Sequence, residues 1–340
     1  MPESVSLVTG ATGLLGSHLA EQLVARGHSV RALVRPTSQT GFLQRLGVEL
    51  VLGDLTDVDA CRRAVRGVRL VFHAAAKVGD WGRWEEFQRD CLEATERLAQ
   101  AACDAGIERF VHISSTSAYG HPPEGGPPLD ETAPLGQNLW PVWDDYTRSK
   151  VLCEQILWRM AQRDGLPLTV LRPSWLYGER DRTTTARLVR RLRRGGIPLI
   201  GPGDNPLSAI YAGCVADAAI SAATHPAARG QAYNVTDQGP ITQLAFFDLW
   251  ARALGVQPSR RRFSYPLVFA AAWALEATAR LTRSRHPPTI TRYATWLMGR
   301  NLAYSSAKIR NQLGWTHQIE YPESIARTVA WFTQQNGSRS

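Results

Sequence analysis

The chain has 340 residues, a formal net charge of +9 and 44% hydrophobic residues. That length suits one large α/β domain plus a smaller lobe, with an apolar share ordinary for a soluble globular protein. The longest apolar run, Tyr265 to Leu275, is too short to span a bilayer, and residues 4–9 lack the basic flank of a signal peptide. The five cysteines, Cys61, Cys91, Cys103, Cys153 and Cys214, are scattered without CxxC spacing. They argue against a zinc site or disulfide framework and fit a reducing compartment, so a cytoplasmic location is expected and no metal is. Arginine carries the charge, since Lys77, Lys150 and Lys308 are the only lysines. Such basicity permits anionic partners, but no nucleic-acid motif accompanies it and none is expected to bind.

Short β-branched runs and amphipathic stretches alternate through the first half. Strands are predicted at Val5–Thr9, Ser29–Val34, Glu49–Leu52, Leu70–His73 and Phe110–Ser114, with helices near Leu15–Arg26, Val58–Arg66 and Trp84–Ala105. A helix over Asp145–Arg163 and a strand at Leu168–Leu171 continue the rhythm. Pro122–Pro128 is a loop by composition. This order predicts a doubly wound parallel sheet covered on both faces. After Pro173 the rhythm breaks into an arginine-rich helix, Thr184–Arg194, and a Gly/Pro loop at 201–206. We therefore expect a dinucleotide-binding domain over 1–175, rejoined by segments near 209–235. A smaller, mainly helical substrate lobe should comprise 176–208 and 236–335.

Val8-Thr9-Gly10-Ala11-Thr12-Gly13-Leu14-Leu15-Gly16 follows the first strand and opens the first helix. Glycines at Gly10, Gly13 and Gly16 permit a tight turn and close approach of backbone to a pyrophosphate. The helix N-terminus around Thr12, Leu14 and Leu15 offers free N–H groups to the anion. That is the signature of a Rossmann fold. The second strand ends at Val34-Arg35, with no carboxylate at the place where NAD-preferring sites bind ribose hydroxyls. Arg35 favours NADP(H) through its 2′-phosphate, with NAD(H) the alternative. Asp54 and Leu55, just past the third strand, are placed to meet adenine. A helix-capping role for Asp54, Thr56 or Asp57 is the competing reading.

Tyr146-Thr-Arg-Ser-Lys150 sets a phenol and an ammonium four residues apart on one helix face. The nearby cation favours the ionised phenol, so Tyr146 can act as general acid toward a ketone or general base toward an alcohol. Lys150 would also bond the nicotinamide ribose. Hydroxyls at the end of the fifth strand, Ser114 to Ser117, should face the ligand crevice, one of them bonding the substrate oxygen.

The segments GATGLLG, GDL, HAAAK, ISSTSAYG, YTRSK and LRPSWLYG, in that order, resemble the extended short-chain dehydrogenases/reductases over nearly the whole chain. Val34–Thr37 and Ala75–Gly82 are similar to the 3β-hydroxysteroid dehydrogenase/isomerase branch of that NAD-dependent epimerase/dehydratase family. The resemblance implies Ser115 as catalytic serine, Tyr146 as acid/base and Lys150 as its partner. It implies that Ala74, Ala75 and Ala76 line the cofactor and that Pro173 and Ser174 meet the nicotinamide end. The family often carries an asparagine on the long fourth helix where this chain has Cys91, a weaker hydrogen-bonding group.

His73 is read as a packed residue near the cofactor rather than a metal ligand, and Lys77 as either a substrate contact or a surface residue. Arg187, Arg190, Arg191 and Arg194 share one helix face, usually a solvated one. Pro266–Leu281 is apolar nearly all round and is followed by Arg283 and Arg285. It is expected either as a buried lid over the pocket or as a peripheral contact, through 266–285, with the inner face of a membrane. The leading expectation is hydride transfer between NADP(H) and a secondary alcohol or ketone on a hydrophobic substrate, a sterol or 3-oxoacyl compound. A nucleotide-sugar epimerase or dehydratase with tightly bound NAD, and a non-enzymatic NADP redox sensor, are the alternatives. A homodimer is compatible with all three.

Overall fold

The computed structural model describes residues 5–77, 79–139, 143–237, 239, 241–284 and 286–337. Val78 of the Ala75–Gly82 stretch and Arg285 lie outside the described residues. In the first third, β1 (Val5–Thr9), α1 (Leu14–Ala25), β2 (Ser29–Val34), α2 (Gly41–Arg45), β3 (Glu49–Leu52), α3 (Val58–Val65) and β4 (Val68–His73) alternate. α4 (Trp84–Phe87), a π turn (Gln88–Glu93) and α5 (Ala94–Asp104) then lead to β5 (Arg109–Ile113), α6 (Asp145–Arg163) and β6 (Leu168–Pro173). Next come β7 (Trp175–Tyr177), α7 (Thr184–Arg193), β8 (Leu199–Ile200), β9 (Pro206–Leu207), β10 (Ala209–Tyr211), α8 (Ala212–Thr224) and β11 (Gln231–Val235). The remainder is β12 (Ile241–Thr242), α9 (Gln243–Leu254), β13 (Arg262–Phe263), α10 (Tyr265–Leu281), α11 (Arg292–Gly299), α12 (Ala307–Leu313) and α13 (Tyr321–Gly337).

Seven strands form one sheet in the order β11-β6-β5-β4-β1-β2-β3, every pairing parallel. Parallel strands need crossovers that cover both faces, which is why β1, β4, β5 and β6 are apolar runs rather than alternations. Leu7, Val71, Phe110 and Val170 pack on one side with Ala60, Leu98 and Leu157 of α3, α5 and α6. Val8, Phe72, Val111 and Leu171 pack on the other with Leu19 of α1 and Val215 and Ala219 of α8. The small residues of α8 let it lie close on α1, where Gln22 Nε2 donates to the Gly213 carbonyl at 2.8 Å. Chain order reverses between β1 and β4, so a crevice opens there at the strands' C-terminal ends.

Two expectations change. The single helix over Trp84–Ala105 is interrupted by the π turn, a wide turn of the kind often found at functional sites, and it turns Cys91 into a buried position. The buried-lid reading of Pro266–Leu281 is overturned. Among the residues of α10 only Ala272 and Glu276 are buried, while Leu267, Trp273, Leu275 and Leu281 face solvent. Uniform apolarity in the sequence carries no information on which side of a helix packs, and here the packed side holds the one acid.

Candidate active site

The glycine loop shows three different demands for a missing side chain. Gly10 has φ +67°, and a Cβ there would stand 2.8 Å from the Ala75 nitrogen and 2.9 Å from the Ala74 carbonyl carbon. A Cβ on Gly16 would stand 2.2 Å from the Gly10 carbonyl oxygen, so helix α1 can approach the loop only as glycine. Gly13 differs. It caps α1 with φ −91°, offers no side chain to the first-turn N–H groups, and would crowd only the Gly10 oxygen, at 3.2 Å. Its open side and the uncapped helix end form a cradle that fits a pyrophosphate, bordered by Thr12, Leu14 and Leu15. The Ala75 N–H donates to Thr9 Oγ1 at 3.3 Å, which fixes Ala74–Ala76 against the loop.

At the far end of the crevice Arg35 is exposed just past β2, and its guanidinium makes no hydrogen bond or ion pair among the described residues. Asp54 accepts from the Thr56 N–H (2.9 Å) and hydroxyl (2.7 Å) through one oxygen. Partial burial opposes its ionisation, but these bonds, with Arg35 and Arg89 nearby, hold the carboxyl below its ordinary range. The capping role goes to Asp57, which accepts from Asp59 N–H at the start of α3. Asp54, beside Leu55 just past β3, therefore does not cap the helix.

Tyr146 and Lys150 lie on the first turns of α6, whose N-terminus is capped by Asp144 accepting from the Thr147 N–H at 2.9 Å. Lys150 is buried, donates to the Ile113 carbonyl at 3.2 Å, and sits 5.9 Å from the centre of the Tyr146 ring. Ser115 is the second residue past β5. Its Oγ accepts from the Ser117 N–H at 3.1 Å and donates to no partner among the described residues. Ser174, after Pro173 at the end of β6, has a buried hydroxyl without a hydrogen-bond partner among the described residues. Since β4, β5 and β6 are neighbours, Ala74–Ala76, Ser115 and Pro173–Ser174 converge on one edge beside the loop.

Sequence reasoning missed what holds this edge together. Glu154, fully buried on α6 one turn past Lys150, accepts from Arg172 Nη2 (2.7 Å) and Nε (3.0 Å) and from Ser114 Oγ (2.5 Å). Arg172 also donates to Tyr119 Oη (3.1 Å), which donates to Asn234 (2.7 Å). The network ties α6, β5, β6 and β11 beneath the reacting groups. A charged residue at i+4 from Lys150, on the face that carries Tyr146, was the available signal. His73 bridges Thr9 (2.8 Å) and Thr95 (2.9 Å), and burial, then Lys150, lowers its pKa to about 3, so it stays neutral. Cys91 does form a bond: its sulfur accepts from the Lys77 N–H at 3.3 Å. Lys77 itself pairs with Glu86 at 2.6 Å.

Also unforeseen is an aromatic wall above Tyr146. The ring of Tyr146 meets Tyr293 of α11 edge-on at 5.4 Å, and Tyr293 lies along Trp296 at 6.5 Å. Trp296 meets His121 (4.6 Å), His121 meets Trp143 (4.7 Å), Trp143 meets Phe269 (5.8 Å), and Phe269 meets Tyr265 (5.7 Å). Burial, then Tyr146, Asp144 and Asp80, pushes the Tyr293 phenol well above its ordinary value, so it remains a donor. Asp80 accepts from the Thr291 hydroxyl and burial raises its carboxyl. By contrast Arg187, Arg190, Arg191 and Arg194 of the α7 segment are all exposed. A separate cleft of about 660 Å³ between α1, α8 and α13 includes none of the glycine loop, Ser115, Tyr146 or Lys150.

The model of the NAD dependent epimerase/dehydratase family matches residues 6–236. This chain belongs to that family. It is 31% identical to a 2-alkyl-3-oxoalkanoate reductase of Stenotrophomonas maltophilia (strain K279a), covering 95% of this chain and 98% of the relative. It is also 31% identical to a 3β-hydroxysteroid dehydrogenase/Δ5→4-isomerase of Mycobacterium tuberculosis (strain CDC 1551 / Oshkosh), over 96% and 91% of the two chains. The crystal structure of gox2253 superposes with a TM-score of 0.82 at 30% identity, covering 98% of this chain and 99% of that one. The protein is therefore an NAD(P)-dependent oxidoreductase of the extended short-chain dehydrogenase/reductase superfamily, on a doubly wound Rossmann sheet.

Proposed function

We propose that this reductase interconverts a secondary alcohol and a ketone on a hydrophobic substrate of steroid or 3-oxoacyl type, with NADP(H) preferred. The observation that carries the reading is the aromatic wall running from Tyr146 to α10: it offers stacking area to a fused-ring or acyl scaffold. Of its neighbouring cations, Arg292 is already held by Glu276 at 2.7 Å. A nucleotide sugar would need cations for its diphosphate. The α7 arginines face solvent, Arg191 donating to the Thr289 carbonyl and Arg193 to Thr333.

When bound, NADP(H) supplies or takes the hydride. Gly10, Thr12, Gly13, Leu14, Leu15 and Gly16 would hold its pyrophosphate, Arg35 its 2′-phosphate, Asp54 and Leu55 its adenine. Ala74, Ala75, Ala76, Pro173 and Ser174 would border the nicotinamide end, with Ser174 Oγ finding the partner it lacks. Ser115 donates to the substrate oxygen. Tyr146 gives that oxygen its proton in reduction and removes it in oxidation, a contribution of roughly 10²–10⁴-fold. Lys150, held beside the Tyr146 ring by its bond to the Ile113 carbonyl, would bond the nicotinamide ribose. The test is a substrate panel of steroid ketones, 2-alkyl-3-oxoacids and UDP-sugars with NADPH or NADH. Ketone-dependent oxidation of NADPH is the expected result. Sugar interconversion without net cofactor consumption, or a preference for NADH, would contradict the reading.

A further inference from the structure

We infer that the outer face of α10 is a docking surface for an anionic lipid membrane, on which the protein rests peripherally. The helix is inverted relative to a water-facing one. From Pro266 to Ala277 every exposed residue is apolar, namely Pro266, Leu267, Ala270, Ala271, Trp273, Ala274, Leu275 and Ala277. The only charged residue of that stretch, Glu276, is buried and bonded to Arg292. Soluble surface helices place their charges the other way round. Leu267 is 59% and Trp273 58% exposed, and Leu281, on the same helical face, is 86% exposed. The hydroxyls of Thr278 and Thr282 donate at 2.9 Å to the carbonyls of Ala274 and Thr278. Neither hydroxyl therefore needs water.

Charge selects the occupant. Residues 260–285 contain six arginines and a single acid, the buried Glu276. Arg261 and Arg262 precede the helix and Arg280 and Arg283 close it, none of them in an ion pair among the described residues. Cations therefore bracket an apolar face of about 25 Å, at about 1.5 Å per residue. That is the pattern of an interfacial helix, whose rings and aliphatic groups sit at the acyl boundary while arginines meet anionic headgroups. No helix among the described residues is long and apolar enough to cross a membrane. The inner side of α10 completes the arrangement. Tyr265 and Phe269 end the aromatic wall that begins at Tyr146, and Trp81 Nε1 donates to the Ser284 carbonyl at 3.2 Å just past the helix. The docking surface and the catalytic edge are thus joined by continuous packing.

The experiment is co-sedimentation of the full chain with phosphatidylcholine vesicles, with and without phosphatidylglycerol, together with hydrogen exchange on the same samples. Wild type should pellet with the phosphatidylglycerol vesicles, less with phosphatidylcholine alone, and release as salt is raised. Vesicles should protect residues 265–281. Leu267→Ser/Trp273→Ser should lower partitioning at least about tenfold, since it removes two of the large exposed apolar side chains. Circular dichroism reports whether the variant keeps its fold, and the wild-type exchange measurement stands without it. No pelleting with the anionic vesicles, unchanged exchange over 265–281, or equal salt-insensitive binding to both vesicle types overturns the inference. So does a wild-type dimer in the ultracentrifuge that the double substitution converts to monomer, which would assign the face to a second copy of the chain.

Discussion

Removing the Glu154 carboxylate should cost far more than its distance from the substrate suggests. Glu154 is fully buried and Arg172 is 4% exposed, so Glu154→Leu would leave a guanidinium without its charge-assisted bonds to the carboxylate and Ser114 without its acceptor. Breaking a buried pair in this way costs about 3–5 kcal/mol. A domain's whole stability is typically about 5–15 kcal/mol, so the loss is large. Because attraction and desolvation nearly cancel in an intact buried pair, Glu154→Leu/Arg172→Met should recover most of what the single change loses. Urea unfolding of wild type, both single variants and the double variant gives the cycle. The same preparations should show turnover falling in the single variant while NADPH affinity changes little, since Ser115 and Lys150 shift but the glycine loop does not. A single-variant loss below about 1 kcal/mol, or a double variant no more stable than the single, would refute the reasoning.

Arg35→Ala should weaken NADPH binding by about 1.5–3 kcal/mol, the range for a charge-assisted bond, and leave NADH binding nearly unchanged; fluorescence titration of both cofactors checks it. Gly13→Ala and Gly16→Ala should part company. The first leaves thermal stability close to wild type while weakening cofactor binding at least about tenfold, whereas the second, with its Cβ 2.2 Å from a carbonyl oxygen, should lower the melting temperature even without cofactor. His112 is buried with both ring nitrogens lacking a partner among the described residues, and burial lowers its pKa well below the usual 6.5. The unfolded chain therefore binds a proton there that the folded chain does not, so stability falls as pH drops below about 6.5. His112→Leu should reduce that slope by about 1.4 kcal/mol per pH unit between about pH 4 and 6, measured by denaturant titration.

What could be read from the sequence was what depends on neighbours along the chain. The glycine loop, the Tyr146–Lys150 spacing and the strand rhythm through Leu168 are local patterns, and the structure places them at adjacent strand ends. Glu154 and Arg172 were not legible as a pair, because 18 positions and a turn from helix to strand separate them. The aromatic wall draws on Trp143, His121 and Tyr293, from three separate segments that only the tertiary fold brings together. Asp54 and Asp57 offered equal capping chemistry, and backbone geometry chose Asp57. α10 was identified as a helix by composition, yet its packed side could not be, since nearly every position is apolar.

The proposed reaction turns on proton transfer by Tyr146. Its most direct test is Tyr146→Phe, which removes one hydroxyl and keeps the ring that packs against Tyr293. For a hydrophobic ketone, kcat/KM should fall at least about 10²-fold, with the Kd for NADPH within about twofold of wild type. A loss of less than about tenfold with cofactor binding intact would contradict it.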